Sequence, residues 1–115
     1  MAHNRYWAID NIYSSLNGGP YTFVTEAATK RALPDDPHFW DDLFGNNTDW
    51  GLAVYEQDWQ DRQFVQMAAT HTDFGLARRW LAAMGAAAAR ANLTIQYCMT
   101  LPRQLLQASP LLFIL

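Results

Sequence analysis

Trp50-Gly51-Leu52-Ala53-Val54-Tyr55 is a nearly continuous apolar run that stops abruptly at Glu56-Gln57-Asp58-Trp59. A run without polar alternation suits a strand covered on both faces, as in a parallel sheet, and parallel strands need long, usually helical, crossovers. The next forty residues supply one. Asp61–Ala69 reads as a short helix with Phe64, Val65 and Ala68 inward, Thr70-His71-Thr72 breaks it, and Asp73 caps a longer helix that lasts to Ala91. In the longer helix Ala77, Trp80, Leu81, Met84, Ala88 and Ala91 recur at spacings of three and four, while Arg78, Arg79 and Arg90 avoid that stripe. Gly75 and Gly85 each weaken it by roughly 1 kcal/mol relative to alanine, although a glycine facing a sheet permits close approach. Asn92 suits a helix stop, and Leu93–Thr100 reads as a second strand. Residues 50–100 therefore predict a strand–helix–helix–strand unit with parallel strands.

The flanking segments extend the alternation. Tyr6–Tyr13 is apolar and β-prone and is followed by turn chemistry at Asn17-Gly18-Gly19-Pro20, so a strand near 6–13 is expected. Tyr21–Thr25 is a second β-prone run, and 26–33 reads as looser chain. Asp35 and Asp36 before Pro37, the stripe Phe39, Trp40, Leu43 and Phe44, and then Gly45 predict a helix over 37–44 and a loop at 45–49. Pro102 opens a short helix near 102–108, which Pro110 terminates.

With 115 residues, half of them apolar, the chain can bury one ordinary core, so it is one domain or part of one. Its net charge of −3, with no basic block, argues against a nucleic-acid partner. The single cysteine, Cys98, excludes an internal disulfide and multi-cysteine metal patterns. His3, His38 and His71 are scattered along the chain, so no metal and no cofactor are expected. No signal-peptide run follows the N-terminus, and Leu111–Leu115, an unusual apolar tail, is far shorter than a membrane span; no membrane partner is expected. Asn46-Asn47-Thr48 and Asn92-Leu93-Thr94 match the glycosylation acceptor pattern of secreted proteins.

Chemistry concentrates after the apolar run. Residues two apart on a strand share a face, so Glu56 and Asp58 would stand side by side at the carboxyl end of a strand, where α/β folds build their sites. Paired carboxylates repel, which raises the pKa of one and suits acid catalysis, metal binding or recognition of sugar hydroxyls. Tyr55, Trp59 and Trp50 could offer flat faces to a sugar ring. The same two acids could instead cap the next helix or pair with Arg62. Asp10, after another expected strand, and Arg103, after the 93–100 strand, are further substrate-binding candidates. Cys98 reads as a buried, inert thiol.

Taken with Phe39-Trp40-Asp41-Asp42-Leu43-Phe44 and Ile95-Gln96-Tyr97-Cys98-Met99, the stretch Trp50–Trp59 resembles part of a glycoside-hydrolase-like (β/α)8 barrel of the α-galactosidase type. The resemblance spans residues 5–108. It implies a partial barrel with parallel strands near 6–13, 21–25, 50–58 and 93–100, with Asp58 at the nucleophile-like strand end and Glu56 in support. The family pattern has a lysine two residues before the aspartate, where this chain has Glu56. A full barrel needs about 250 residues, so only about half a barrel is expected. Glycosidases need a second carboxyl group, usually from another strand; that strand would lie beyond Leu115. The reading is thus a fragment or short form acting on carbohydrate and inactive alone, with exposed sheet edges able to self-associate. A non-catalytic α/β module that docks on a protein partner is the alternative.

Overall fold

The structure, a computed structural model, describes residues 1–73 and 75–102. In chain order its elements are β1 (Ala2–Asn4), β2 (Trp7–Ala8), β3 (Phe23–Glu26), β4 (Arg31–Pro34), α1 (Pro37–Thr48), β5 (Val54–Gln57), α2 (Gln60–Val65), α3 (Ala69–Thr72), α4 (Leu76–Arg90) and β6 (Thr94–Tyr97). The strands form two sheets, a parallel one in the order β1-β5-β6 and an antiparallel one in the order β2-β4-β3. The α/β class and the parallel pairing of the two main strands match the sequence reading. Among the described residues no barrel closes. The strands expected near 6–13 and 21–25 are not parallel; they shrink to β2 and β3 and pair antiparallel with β4. The helix expected near 102–108 and the apolar tail lie outside the described residues. No described helix is long and apolar enough to cross a membrane.

Asparagine side chains explain why 6–13 is not one strand. Asn11 Oδ1 accepts from the N–H groups of Tyr13 and Ser14, and Asn17 Nδ2 donates to the carbonyls of Ile9 and Asn11. These bonds take backbone groups that a sheet ladder would need and coil the chain into a loop. Gly19 closes that loop against Tyr13, where a Cβ would lie 2.3 Å from backbone atoms.

Helix α1 begins as expected, with Pro37 in its first turn and Asp36 Oδ1 accepting from the His38 N–H at 3.0 Å. It does not stop at Gly45. It runs on to Thr48, through the expected loop, and closes at Gly51 (φ 96°), with Leu52 N–H donating to Asn47 O and Gly51 N–H to Thr48 O. That pair of bonds is a Schellman closure. Helix α4 closes in the same way at the expected stop, with Asn92 at φ 55° and bonds from Leu93 to Ala88 and from Asn92 to Ala89. The single helix expected at 61–69 is two short ones, and the residues expected to break it, Thr70 to Thr72, are helical. Phe64 is buried as expected, but Val65 and Ala68 face solvent, and Gln60, Gln63 and Met67 are buried in their place.

Among the described residues, α1 and α4 pack on one side of the parallel sheet. Tyr55 and Ile95, in register on β5 and β6, share a core with α1 and α4, and Tyr55 meets Trp40 and Phe44 ring to ring. Phe64 of α2 joins the same core against Trp80 of α4. Among the described residues these helices cover the face of β5 that carries Tyr55, and Val54 on the opposite face is half-buried. Phe39 of α1 is fully buried against the antiparallel sheet and its loop, with edge-to-face contacts to Trp7, Tyr13, Tyr21, Phe23 and Trp40. The buried amide of Gln63 ties α2 to the second sheet: its Oε1 accepts from Trp7 N–H at 2.9 Å and its Nε2 donates to Ala32 O at 2.9 Å.

Phe39→Ala is expected to destabilise the chain by about 3–5 kcal/mol in urea unfolding, the usual loss for a buried aromatic. Gln63→Leu keeps the volume but strands two buried backbone groups; at about 1–3 kcal/mol for each, its unfolding midpoint should fall markedly with the slope unchanged.

Candidate functional site

Parallel register sets His3, Glu56 and Gln96 in one row across the sheet. Alternation along each strand turns that row away from the buried Tyr55 and Ile95, onto the face opposite α1 and α4. Asp58 follows on the same side, its N–H donating to Asn4 O at 2.8 Å and extending the ladder by one residue. The outcome is a compact group at the carboxyl edge. His3 Nε2 lies 3.0 Å from Asp58 Oδ2 and 4.0 Å from Glu56 Oε2. The two carboxylates are largely shielded, at 13% and 16% side-chain exposure, while the imidazole is 41% exposed.

Partial burial pushes the Asp58 carboxyl upward, but hydrogen bonds from His3, the Trp59 N–H and Cys98 outweigh it, and the net shift is down. Asp58 is thus held as a carboxylate. Cys98, next to Asp58 across the sheet, is only partly buried, and burial together with its bond to Asp58 pushes its thiol up.

The backbone is constrained on both sides of this group. Trp59 (φ 59°) and Met99 (φ 52°) both take left-handed conformations, each two residues past the end of its strand. Such non-glycine residues cost of order 1–3 kcal/mol and persist only where the surroundings enforce them. Here the enforcement is visible: the N–H groups of Gln60 and Asp61 donate to the carbonyls of Cys98 and Met99, at 3.4 and 2.9 Å, and tie the first turn of α2 to the end of β6.

Of the residues singled out from sequence, Glu56 and Asp58 are brought together. Trp59 sits beside them, with the guanidinium groups of Arg62 and Arg5 over its ring at 4.7 and 5.7 Å. Arg62 therefore stacks on Trp59 rather than pairing with the acids. Tyr55 cannot touch a ligand here, because it points into the core on the opposite face and its hydroxyl donates to Gln57 Oε1. Trp50 is exposed at the amino end of β5, away from the carboxyl edge. Asp10 is exposed in the turn after β2, outside the parallel sheet. Arg103 lies outside the described residues.

His3 was not singled out. Its separation of 55 residues from Asp58 hides the contact, and histidines scattered in sequence are here no guide to scatter in space. His3, Glu56 and Asp58 each present a donor atom, all within 4.8 Å of one another. The expectation of no metal-ligand group from histidine spacing is corrected to that extent. Concavities of about 220, 320 and 250 Å³ lie elsewhere on the surface of the described residues, and neither acid lines them.

Comparison of the chain with family models, with curated proteins and with solved structures finds no match.

Because the folded-state pKa of Asp58 is depressed, its bonds stabilise the fold above the ordinary carboxylate value of about 3.9 and are lost as pH falls below it. In metal-free buffer the wild type should lose stability between roughly pH 4 and 2 more steeply than Asp58→Asn, read from urea midpoints at each pH. Parallel pH profiles would refute this account of the carboxylate.

Proposed function

We propose that the carboxyl edge of the parallel sheet is one wall of a carbohydrate site in a glycoside-hydrolase-like β/α array, with Asp58 as the carboxylate facing the sugar and Glu56 beside it. The observation that carries the reading is the placement of both acids on the face opposite α1 and α4, at the end of the sheet where β/α arrays build their sites. The joints support it. Both α1 and α4 close with a Schellman motif and a buried leucine, Leu52 or Leu93, before the chain enters β5 or β6, and each strand ends two residues before a left-handed residue. Two successive units built alike are what an extended β/α array requires.

A carboxylate held ionised suits attack on, or charge stabilisation of, an oxocarbenium-like centre rather than proton donation. A proton donor must then come from elsewhere. Retaining enzymes set two carboxyl groups about 5–5.5 Å apart across the scissile bond. Glu56 and Asp58 stand on one side of one strand and cannot flank that bond. Three parallel strands supply one side of a site, so the described residues bind sugar without turning it over.

The alternative of an interaction module rests on Ile12 and Leu16, 77% and 65% exposed on the loop between β2 and β3. Loss of self-association or partner binding in an Ile12→Ser/Leu16→Ser variant would favour it over the sugar site.

Titration with a panel of hexoses should shift the Trp59 indole N–H signal in NMR spectra while the buried Trp80 signal stays fixed, with no hydrolysis of aryl glycosides. Asp58→Asn should weaken that binding by about tenfold, equivalent to about 1.4 kcal/mol. Turnover abolished by Asp58→Asn would reject the inactive state; unmoved Trp59 signals across the panel would reject the sugar site.

A further inference from the structure

We propose that His3 Nε2 and the carboxylates of Glu56 and Asp58 form a three-donor site for a borderline divalent cation, of which zinc is the representative. The site shares two residues with the proposed sugar wall but needs no sugar, so a failed sugar titration and a failed metal titration are separate results.

The donor set is the first argument. One imidazole nitrogen with two carboxylate oxygens suits zinc-class ions, whereas calcium and magnesium favour all-oxygen sites. Three protein ligands also leave a coordination position open, the arrangement of reactive rather than purely structural zinc sites.

Geometry is the second. Zinc bonds of about 2.0–2.2 Å put tetrahedral donor atoms about 3.4 Å apart. The observed separations of His3 Nε2 from Asp58 and Glu56, 3.0 and 4.0 Å, bracket that figure, and all three donors fall within 4.8 Å. Small side-chain rotations would close the set. His3 and Glu56 are paired in register on β1 and β5, so the sheet ladder sets the two donors side by side.

Charge is the third. Two largely shielded carboxylates stand together, and among the described residues their ion-pair partner is His3 alone. A neutral imidazole leaves that pair of negative charges unbalanced, and a dication would neutralise both. The exposed side of His3 provides the way in.

Calorimetric titration of the chelator-treated full chain with zinc chloride tests the inference. One zinc per chain should bind, and His3→Ala and Glu56→Gln should each raise the dissociation constant by at least about tenfold, the scale on which even outer-shell changes act. His71→Ala, altering an exposed histidine on α3, should bind as the wild type does. Calcium should give no saturable heat. If a variant fails to fold, cobalt(II) added to the wild type gives a second reading: the His3 imidazole proton signals should shift or broaden while those of His71 persist. Absence of saturable zinc binding, wild-type affinity in both His3→Ala and Glu56→Gln, or cobalt perturbation centred on His71 would overturn the assignment and leave His3 as a hydrogen-bond partner of Asp58 only.

Discussion

Side chains leave β5 on alternate sides, and the rest of the molecule follows from that period of two. Tyr55 and Gln57 turn into the core; Glu56, and Asp58 beyond it, turn away from the helices. A slip of one residue in the pairing with β1 would bury two carboxylates under α1 and expose a tyrosine and an amide. The burial cost of unpaired charge makes that alternative prohibitive, so the acids are themselves a register device. Their position on the open face is a condition of folding before it is a condition of any chemistry.

Buried amides join what the strands leave separate. Gln57, fully enclosed, accepts from the Tyr55 hydroxyl and donates to the carbonyl of Arg5, where the chain leaves the parallel sheet. Gln63 repeats the device one helix later between Trp7 and Ala32. Each amide satisfies both a donor and an acceptor, so β5 is tied to the chain leaving β1, and α2 to the antiparallel sheet, without a charge in the core. Charged links stay at the rim: Arg79 reaches Asp35 and Asp73, and Arg90 reaches Asp41, tying α4 to the entrance and the body of α1.

Strong periodic signals were legible in the sequence and local polar competition was not. The stripe from Ala77 to Ala88 marks α4, and the run ending at Glu56 marks β5, because burial on one face demands those spacings. Gly45 misled because an exposed helical glycine, with nothing near its missing Cβ, has the same letter as a helix stop; the stop is Gly51, six residues on. Strand β4 escaped because its turn from β3 uses Lys30, not glycine or asparagine, in the left-handed region. The glutamines of α2 were invisible as core residues, since polarity alone assigns them to the surface. Of the site, the carboxylate pair could be read from its spacing, but His3 could not, because β1 has three residues and its partner strand begins some fifty residues later.

That shortness has its own consequence. β1 is held to β5 by the few ladder bonds that three residues allow, so releasing it sacrifices little enthalpy while Arg5 and Trp7 stay pinned to Gln57 and Gln63. Fraying of this edge would carry the imidazole away while the ring cluster around Phe39 stayed intact. The lifetime of the histidine–aspartate contact is therefore set by the weakest margin of the sheet, and a ligand that bridges the two would act as a clasp on the terminus.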